Sequence, residues 1–388
     1  MSADIIYVLP DKLGGVFNFC SNLLAHRSPA GLPHRAVLTH NHMSVDVRSD
    51  ERLPADSQAS VEYELPIENV YAALRRVRDA IGGTGALVAH DWIELGAVSA
   101  YPVDRTVFSI VHADSDYYYN LALKHEPDVD AWITYSEAIH RRLLELLPHR
   151  ASTIYFRPYG VEIGASRTPA SGPLRLLYVG RIDRQKGVFD LPAIDAALAA
   201  AKVDIAWTVQ GTGPDEAALK LAWTNPHVLW MGRQDMTQVL AQYTRHDVLV
   251  MPSRSEGLPV VLLEAGAAGV VPVASDLASG VPQIVRSGET GFRVPVGDCA
   301  GFARAIQTLA GDRPALERMS AAIRELVTRD WDIRTRALEY QALFERYEEL
   351  ARPRGPRRIR QYGSRLDRRW VPNRLVRTVR RFTHRSAR

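Results

Sequence analysis

Apolar residues along this chain come mostly in short unbroken runs, separated by longer stretches whose apolar positions recur three and four apart. The runs at 4–9, 35–39, 86–89, 106–111, 131–135 and 152–156 read as buried strands, as do 174–179, 205–210, 228–231, 248–251, 270–274 and 292–294. The stretches 17–25, 69–81, 137–147 and 189–201 read as helices. Alternation of this kind predicts parallel, doubly wound sheets, because parallel neighbours need a crossover and a helix is its usual form. The pattern lapses after residue 158 in a segment rich in Gly, Pro, Ser and Thr, then restarts at Leu174. The expected division is therefore a first domain over 1–160, a linker over 161–173 and a second domain over 174–330. A closing helix over 331–352, with Leu338, Tyr340, Leu343, Phe344 and Tyr347 on its apolar side, and a tail over 353–388 complete it.

In such sheets ligands bind beyond the carboxyl ends of the strands, so the loops there carry the candidate chemistry. The segment at 252–264 reads P-S-R-S-E-G-L-P-V-V-L-L-E. It leaves the strand 248–251, turns at Gly257 and Pro259, and enters a helix with Pro259 in its first turn. A helix N-terminus offers unpaired N–H groups and partial positive charge, a seat for phosphate. Glu256 in the loop and Glu264 inside the helix cannot favour phosphate, and gripping hydroxyls is the job that fits them. The bland alternative for Glu264 is a solvated helix acid. A phosphate seat between two hydroxyl-gripping acids describes a nucleotide-sugar site. Arg181 and Lys186 lie on the loop after 174–179 and suit a diphosphate. Gly14-Gly15 joins the first strand to the first helix and permits close approach of a phosphate. It is not a dinucleotide fingerprint, so no NAD is expected. His112 ends the strand 106–111 and reads as a donor to a sugar or its phosphate, with a rim histidine as the alternative. His90-Asp91-Trp92, Ser136-Glu137 and the tyrosine-rich run at 116–120 fall at the same sheet edge.

Composition adds limits. Among 388 residues, 46% are apolar and 24% charged, as in an ordinary α/β protein. Two cysteines, Cys20 and Cys299, supply neither a disulfide framework nor a metal cluster, which suits a reducing cytoplasm. Ser2-Ala3-Asp4 leads straight into a strand, so no secretory leader is expected, and the apolar window 258–275 contains a glutamate, prolines and glycines, unlike a membrane span. The formal charge of +4 is unevenly placed. From Arg352 onward there are fourteen arginines, no lysine and one acid, Asp367, leaving an acidic body with a basic tail. That is unlike a uniformly basic nucleic-acid binder, and no nucleic acid partner is expected. Past Pro353 and Pro356, with Trp370 and Pro372 before the helix start, Leu375, Val376, Val379 and Phe382 share one helical face. Arg377, Arg380, Arg381 and Arg385 cover the other. An interfacial helix on an anionic membrane is the expectation, and a disordered polyanion-binding tail the alternative.

The motifs G-R-I-D-R-Q-K-G at 180–187, G-T-G-P at 211–214 and S-E-G-L-P-V-V-L-L-E at 255–264 carry a resemblance. So do G-V-P-Q-I-V at 280–285, S-G-E-T-G-F-R-V-P-V-G-D at 287–298 and the glycine pair at 14–15. In their order and spacing the chain resembles glycosyltransferase family 4, retaining nucleotide-sugar transferases of the GT-B fold. That fold is α/β, with two Rossmann-like doubly wound parallel-sheet domains facing across a cleft. The resemblance implies that Arg181 and Lys186 neutralise the donor diphosphate and that Glu264 holds the nucleotide ribose. Glu256 would face the sugar hydroxyls, with the backbone N–H groups of Gly257, Leu258 and Val260 around sugar and phosphate and Pro259, which has no N–H, among them. Gly211, Gly213 and Met231 would lie near the base, with His112 and Gly15 on the sugar and phosphate side. It departs from the family at Gln283, where glutamate is usual, and at Tyr159, where asparagine is usual. It implies a UDP- or GDP-linked donor as substrate, no metal and no other cofactor. A glycan or lipid-linked acceptor in cell-envelope or surface polysaccharide synthesis is expected, with the protein cytoplasmic or peripheral at the inner membrane face. A sugar-nucleotide 2-epimerase and a non-catalytic nucleotide-sugar-binding subunit are the rival readings.

Overall fold

The computed structural model of the protein describes residues 3–12, 14–44, 48–49, 52–353 and 361–385. Ser2, Pro356 and the side chain of Arg385, all named above, lie outside the described residues. Two compact units form: residues 1–135, 139–160 and 334–388 make the first, and 136–138 and 161–333 the second.

The first unit is built on strands β1 (Asp4–Pro10), β2 (His34–Asn41), β3 (Ser57–Tyr63), β4 (Gly85–Ala89), β5 (Thr106–Val111), β6 (Ala131–Thr134) and β7 (Ile154–Phe156). They lie in the order β3-β2-β1-β4-β5-β6-β7, all parallel. The second unit uses β8 (Leu174–Val179), β9 (Ile205–Gln210), β10 (Leu229–Gly232), β11 (Val248–Met251), β12 (Val271–Ser275) and β13 (Phe292–Val294). Their order is β10-β9-β8-β11-β12-β13, again all parallel. Both sheets thus reverse direction of winding once, between β1 and β4 and between β8 and β11. Loops leaving those strands diverge there and open a crevice at the carboxyl edge.

Central strands are buried on both faces and so read as continuous apolar runs. β3 is different. It sits at the sheet edge with Val61 and Tyr63 buried and its other side chains exposed or half-exposed, so no apolar run announces it. The expected closing helix starts at Ile333, after Asp332 bridges to Val161, and is interrupted at Arg346, between helices Ile333–Glu345 and Tyr347–Leu350. Tyr340, Leu343 and Phe344 are buried as expected, with Phe344 edge-on to Tyr7 and Phe108. Leu338 instead faces solvent and Tyr347 is only half-buried, while Ala337 and Gln341 take buried positions. Gln341 accepts a hydrogen bond from the Ser28 backbone N–H at 2.8 Å, which explains a polar residue on that face.

The basic tail docks on the first unit. Asn69 caps the helix Val70–Ile81, and its amide donates to the carbonyls of Arg368 and Val371, each at 2.9 Å. Asp367 is buried; it accepts from the Val70 N–H at 2.9 Å and pairs with Arg380 at 2.5 Å. Tyr362 stacks on His125, and Val376 is fully buried. The helix Asn373–Arg385 forms where expected, yet its polar face is not simply outward, since Arg377 pairs with Glu64 at 2.5 Å. Burying Asp367 without its partner leaves an uncompensated charge or unfilled donors. Asp367→Ala should therefore weaken tail docking by about 3 kcal/mol, seen as earlier tryptic cleavage at Arg365, Arg368 and Arg369 than in the wild type. An unchanged digestion pattern would show that the tail is held some other way.

Candidate functional site

In the second unit the two switch-point loops are knit together before any side chain is considered. Gly187 has φ +66, a conformation L side chains rarely adopt, and a Cβ there would overlap the Pro252 carbonyl. The loop after β8 can therefore lie directly on the start of the loop after β11, and the Arg254 N–H donates to the Gln185 carbonyl at 2.8 Å. Gly211, at φ +133, allows the same approach to the Gly180 carbonyl from the loop after β9. Its N–H reaches the Gly232 carbonyl at 2.9 Å. Thus Gly211, Gly213 and the Met231–Gly232 turn converge on one side of Arg181, and the segment 252–260 lies on the other side of Lys186.

Lys186 Nζ meets both carboxylate oxygens of Glu256, at 2.8 and 2.9 Å, and the Ser253 hydroxyl donates to Glu256 Oε1 at 2.7 Å. The sequence reading placed Lys186 and Glu256 in one site but did not foresee this pairing. Arg181 pairs with Asp183 and keeps 65% of its side chain exposed. Burial works against the Asp183 carboxylate, but the Lys186 N–H and the Arg181 guanidinium hold it below its usual range. The helix after the loop runs Val260–Ala267, with Pro259 as its cap rather than inside its first turn. Its first N–H groups have no acceptor within the helix, as at every helix start. Leu258 is buried.

Glu264 is half-buried and accepts from the Tyr243 hydroxyl at 3.0 Å. Burial pushes its carboxyl up to about 7, with the Tyr243 hydrogen bond acting in the opposite sense. It is not the solvated helix acid of the bland alternative. Tyr243 escaped the sequence reading because a tyrosine at a helix end carries no local signal of a partner 21 positions on.

In the first unit, Gly15 opens the helix Gly15–Ala25 directly after β1, and His112 follows β5. Phe19 of that helix packs edge-on to His112, with ring centroids 5.4 Å apart. His112 Nε2 lies 2.7 Å from His90 Nδ1, whose Nε2 lies 3.3 Å from Cys20 Sγ. The Tyr135 hydroxyl donates to the His112 carbonyl. Tyr118 is edge-on to His112, whereas Tyr119 is tied to Asp114 at 2.6 Å. Asp91 and Glu94 form a capping box on the helix Trp92–Ala100, and Tyr117 donates to Asp91. Burial lowers the His112 imidazole to about 3 and His90 well below its usual value, so both rings are neutral at pH 7.

The Glu264 carboxyl gives a stability signature. Between 4.5 and about 7 the unfolded chain has released this proton and the folded chain keeps it. Stability from this position therefore falls as pH rises through that window and is level above it. Glu264→Gln should melt higher than the wild type at pH 8 and alike at pH 4. Equal melting at both would place the Glu264 carboxyl in an ordinary, solvated setting.

Comparison with known proteins agrees with this geometry. The family model described as glycosyl transferases group 1 matches residues 163–326, the span that holds Arg181, Lys186, Gly211, Gly213, Met231, Glu256 and Glu264. Anabaena HepE bound to UDP and glucose superposes with a TM-score of 0.71 at 15% identity, over 88% of this chain and 99% of that one. Sucrose-phosphate synthase from Thermosynechococcus elongatus gives 0.67 at 19%, over 88% and 98%. Both speak for the fold alone, two Rossmann-like parallel-sheet domains of the GT-B type. Glycogen synthase of Mycobacterium tuberculosis (strain H37Rv) is 30% identical over 298 residues, 72% of each chain. Further matched relatives, such as the Rhizobium meliloti lipopolysaccharide core biosynthesis glycosyltransferase LpsE, are named as glycosyltransferases, which sets the epimerase reading aside. On this likeness and on the family match, the chain belongs to the group 1 glycosyl transferases, enzymes that take a sugar from a nucleotide-sugar donor.

Proposed function

We propose that the chain moves a sugar, with retention and without a metal ion, from a UDP- or GDP-linked donor to a hydroxyl of a glycan, polysaccharide or lipid-linked acceptor. Synthesis of cell-envelope or surface polysaccharide is the setting, as the name of a matched relative, the Salmonella typhimurium colanic acid glycosyltransferase WcaL, suggests. One observation carries the reading: across the loops at the switch point of the second unit Lys186 pairs with Glu256, with Arg181 on the first of those loops and Glu264 in the helix that follows the second. Lys186 exchanges Glu256 for the incoming diphosphate, which leaves Glu256 to accept from the sugar hydroxyls. Arg181, exposed and planar, takes the second phosphate, joined by the N–H groups at the start of Val260–Ala267. Glu264, once ionised, grips the ribose diol. Gly211, Gly213 and Met231 flank the base, and Gly15 and His112 are assigned to the phosphate and sugar side. Fixed cations and helix N–H groups stabilise the leaving diphosphate as its charge develops.

The tail supports a membrane-side acceptor. Trp370 and Phe382 are 81% and 71% exposed, and Leu375 and Val379 share the exposed face with Phe382. Arg374 and Arg381 border this ridge and are exposed as well. Such an apolar ridge with a cationic rim fits an anionic membrane interface. Between tail and unit core lies a cavity of about 550 Å³, walled by Leu65, Val70, Trp92, Lys124, Tyr362 and Arg380, which suits an apolar group of an amphiphilic acceptor. Among the described residues, no helix is long and apolar enough to cross a membrane.

Glu256→Ala should abolish transfer yet leave nucleoside diphosphate binding within a few-fold, since Lys186 is then free for phosphate. Lys186→Ala should weaken that binding by about tenfold or more, the scale of a lost charge-assisted bond. Parallel losses of affinity in both variants, read by calorimetry, would reverse these assignments. Turnover should survive EDTA; complete loss restored by magnesium would contradict the metal-free reading. Full-length protein should sediment with anionic vesicles in a salt-sensitive way, weakened by Phe382→Ser. Indifference to that substitution would remove the tail from membrane contact.

A further inference from the structure

The candidate sugar-side histidine does not stand alone. Cys20 Sγ, His90 and His112 form a chain of two hydrogen bonds, 3.3 Å from sulfur to His90 Nε2 and 2.7 Å from His90 Nδ1 to His112 Nε2. Its members come from three elements at the switch point of the first unit: the helix after β1, the end of β4 and the end of β5. Cys20 and His90 are almost wholly buried, and Phe19 packs edge-on to both imidazoles.

A neutral imidazole has one N–H and one bare nitrogen, so each bond in such a chain fixes the next. Two directions are open. If His112 Nε2 donated to His90 Nδ1, His90 Nε2–H would point at sulfur and the thiol proton would have no acceptor among the described residues. Sulfur is also a weak acceptor. Run the other way, every proton has a place. The Cys20 S–H donates to His90 Nε2, His90 Nδ1–H donates to His112 Nε2, and the proton of His112 must sit on Nδ1. That nitrogen has no hydrogen-bond partner among the described residues. Burial keeps the thiol protonated and both rings neutral, as this direction requires.

We propose that Cys20 and His90 are positioning residues that lock His112 in its Nδ1–H tautomer, so that it presents a neutral donor to an oxygen of the transferred sugar. The functional half of this inference rests on the transferase reading of His112 given above; the tautomer does not. A neutral N–H suits a sugar hydroxyl or ring oxygen better than a diphosphate, which asks for a cation. Free histidine can place its proton on either nitrogen. The pairing in this fold removes the choice and leaves the donor pre-oriented before the sugar arrives.

Full-length protein labelled with ¹⁵N-histidine, without donor, tests this by long-range ¹H–¹⁵N correlation. His112 and His90 are both expected to show a protonated Nδ1 and a bare Nε2. Cys20→Ser keeps a donor and should preserve that pattern, whereas Cys20→Val should let the His112 proton move to Nε2. In turnover, His90→Leu should lower kcat by about tenfold with nucleoside diphosphate affinity unchanged. His90→Asn, whose amide N–H stands where Nδ1–H was, should recover most of that loss. A wild-type His112 protonated at Nε2 would overturn the relay. The expected tautomer with Leu and Asn equally impaired at position 90 would overturn its role in transfer. Should the wild type transfer no sugar at all, the transferase reading fails while the spectra still decide the tautomer.

Discussion

The ion pair between Lys186 and Glu256 is possible only because two loops from different strands lie against each other, and that approach depends on Gly187 beneath Pro252. The strands themselves are neighbours, β8 and β11, because the sheet changes its winding direction between them. Fold order, loop contact and charge pairing are thus one constraint at three scales. A side chain at position 187 would push the loops apart, and Lys186 would lose Glu256 before any ligand was involved. The pair also explains how two groups of opposite charge share a small site. In the proposed transfer, each holds the other until a diphosphate and a sugar offer both of them better partners.

The same architecture recurs in the first unit with different chemistry. There the switch point falls between β1 and β4, and its edge carries a thiol and two neutral imidazoles. Burial is the common agent. It raises the Glu264 carboxyl to about 7 in one unit and lowers His112 to about 3 in the other. In the proposed function, the acid responds to a ligand that brings hydroxyl donors, and the base, kept uncharged, acts as a hydrogen-bond donor and not as a counter-ion.

Most of this was legible in the sequence where local pattern and chemistry coincide. The strands of the two sheet centres are apolar throughout because both faces are covered, and the motif loops follow them directly. What escaped was set by distant partners. β3 is an edge strand with little apolar surface, so its pairing with β2 depends on main-chain bonds that side-chain pattern does not report. Leu338 was assigned to a buried face by helical spacing, but Gln341 took that place through its bond to Ser28. The helix of the tail was readable from its spacing. That Arg377 and Arg380 turn inward to Glu64 and Asp367 was not, since Glu64 is distant in sequence and Asp367 is buried in the segment before the helix.

Amide hydrogen exchange on the full-length protein, with and without a saturating nucleoside diphosphate, tests the central claim most directly. If the switch-point loops of the second unit form the donor site, protection should rise together over 181–187, 211–213, 231–233 and 256–264. Protection that leaves 181–187 and 256–264 unchanged would contradict the account, because the nucleotide would then bind away from the paired loops.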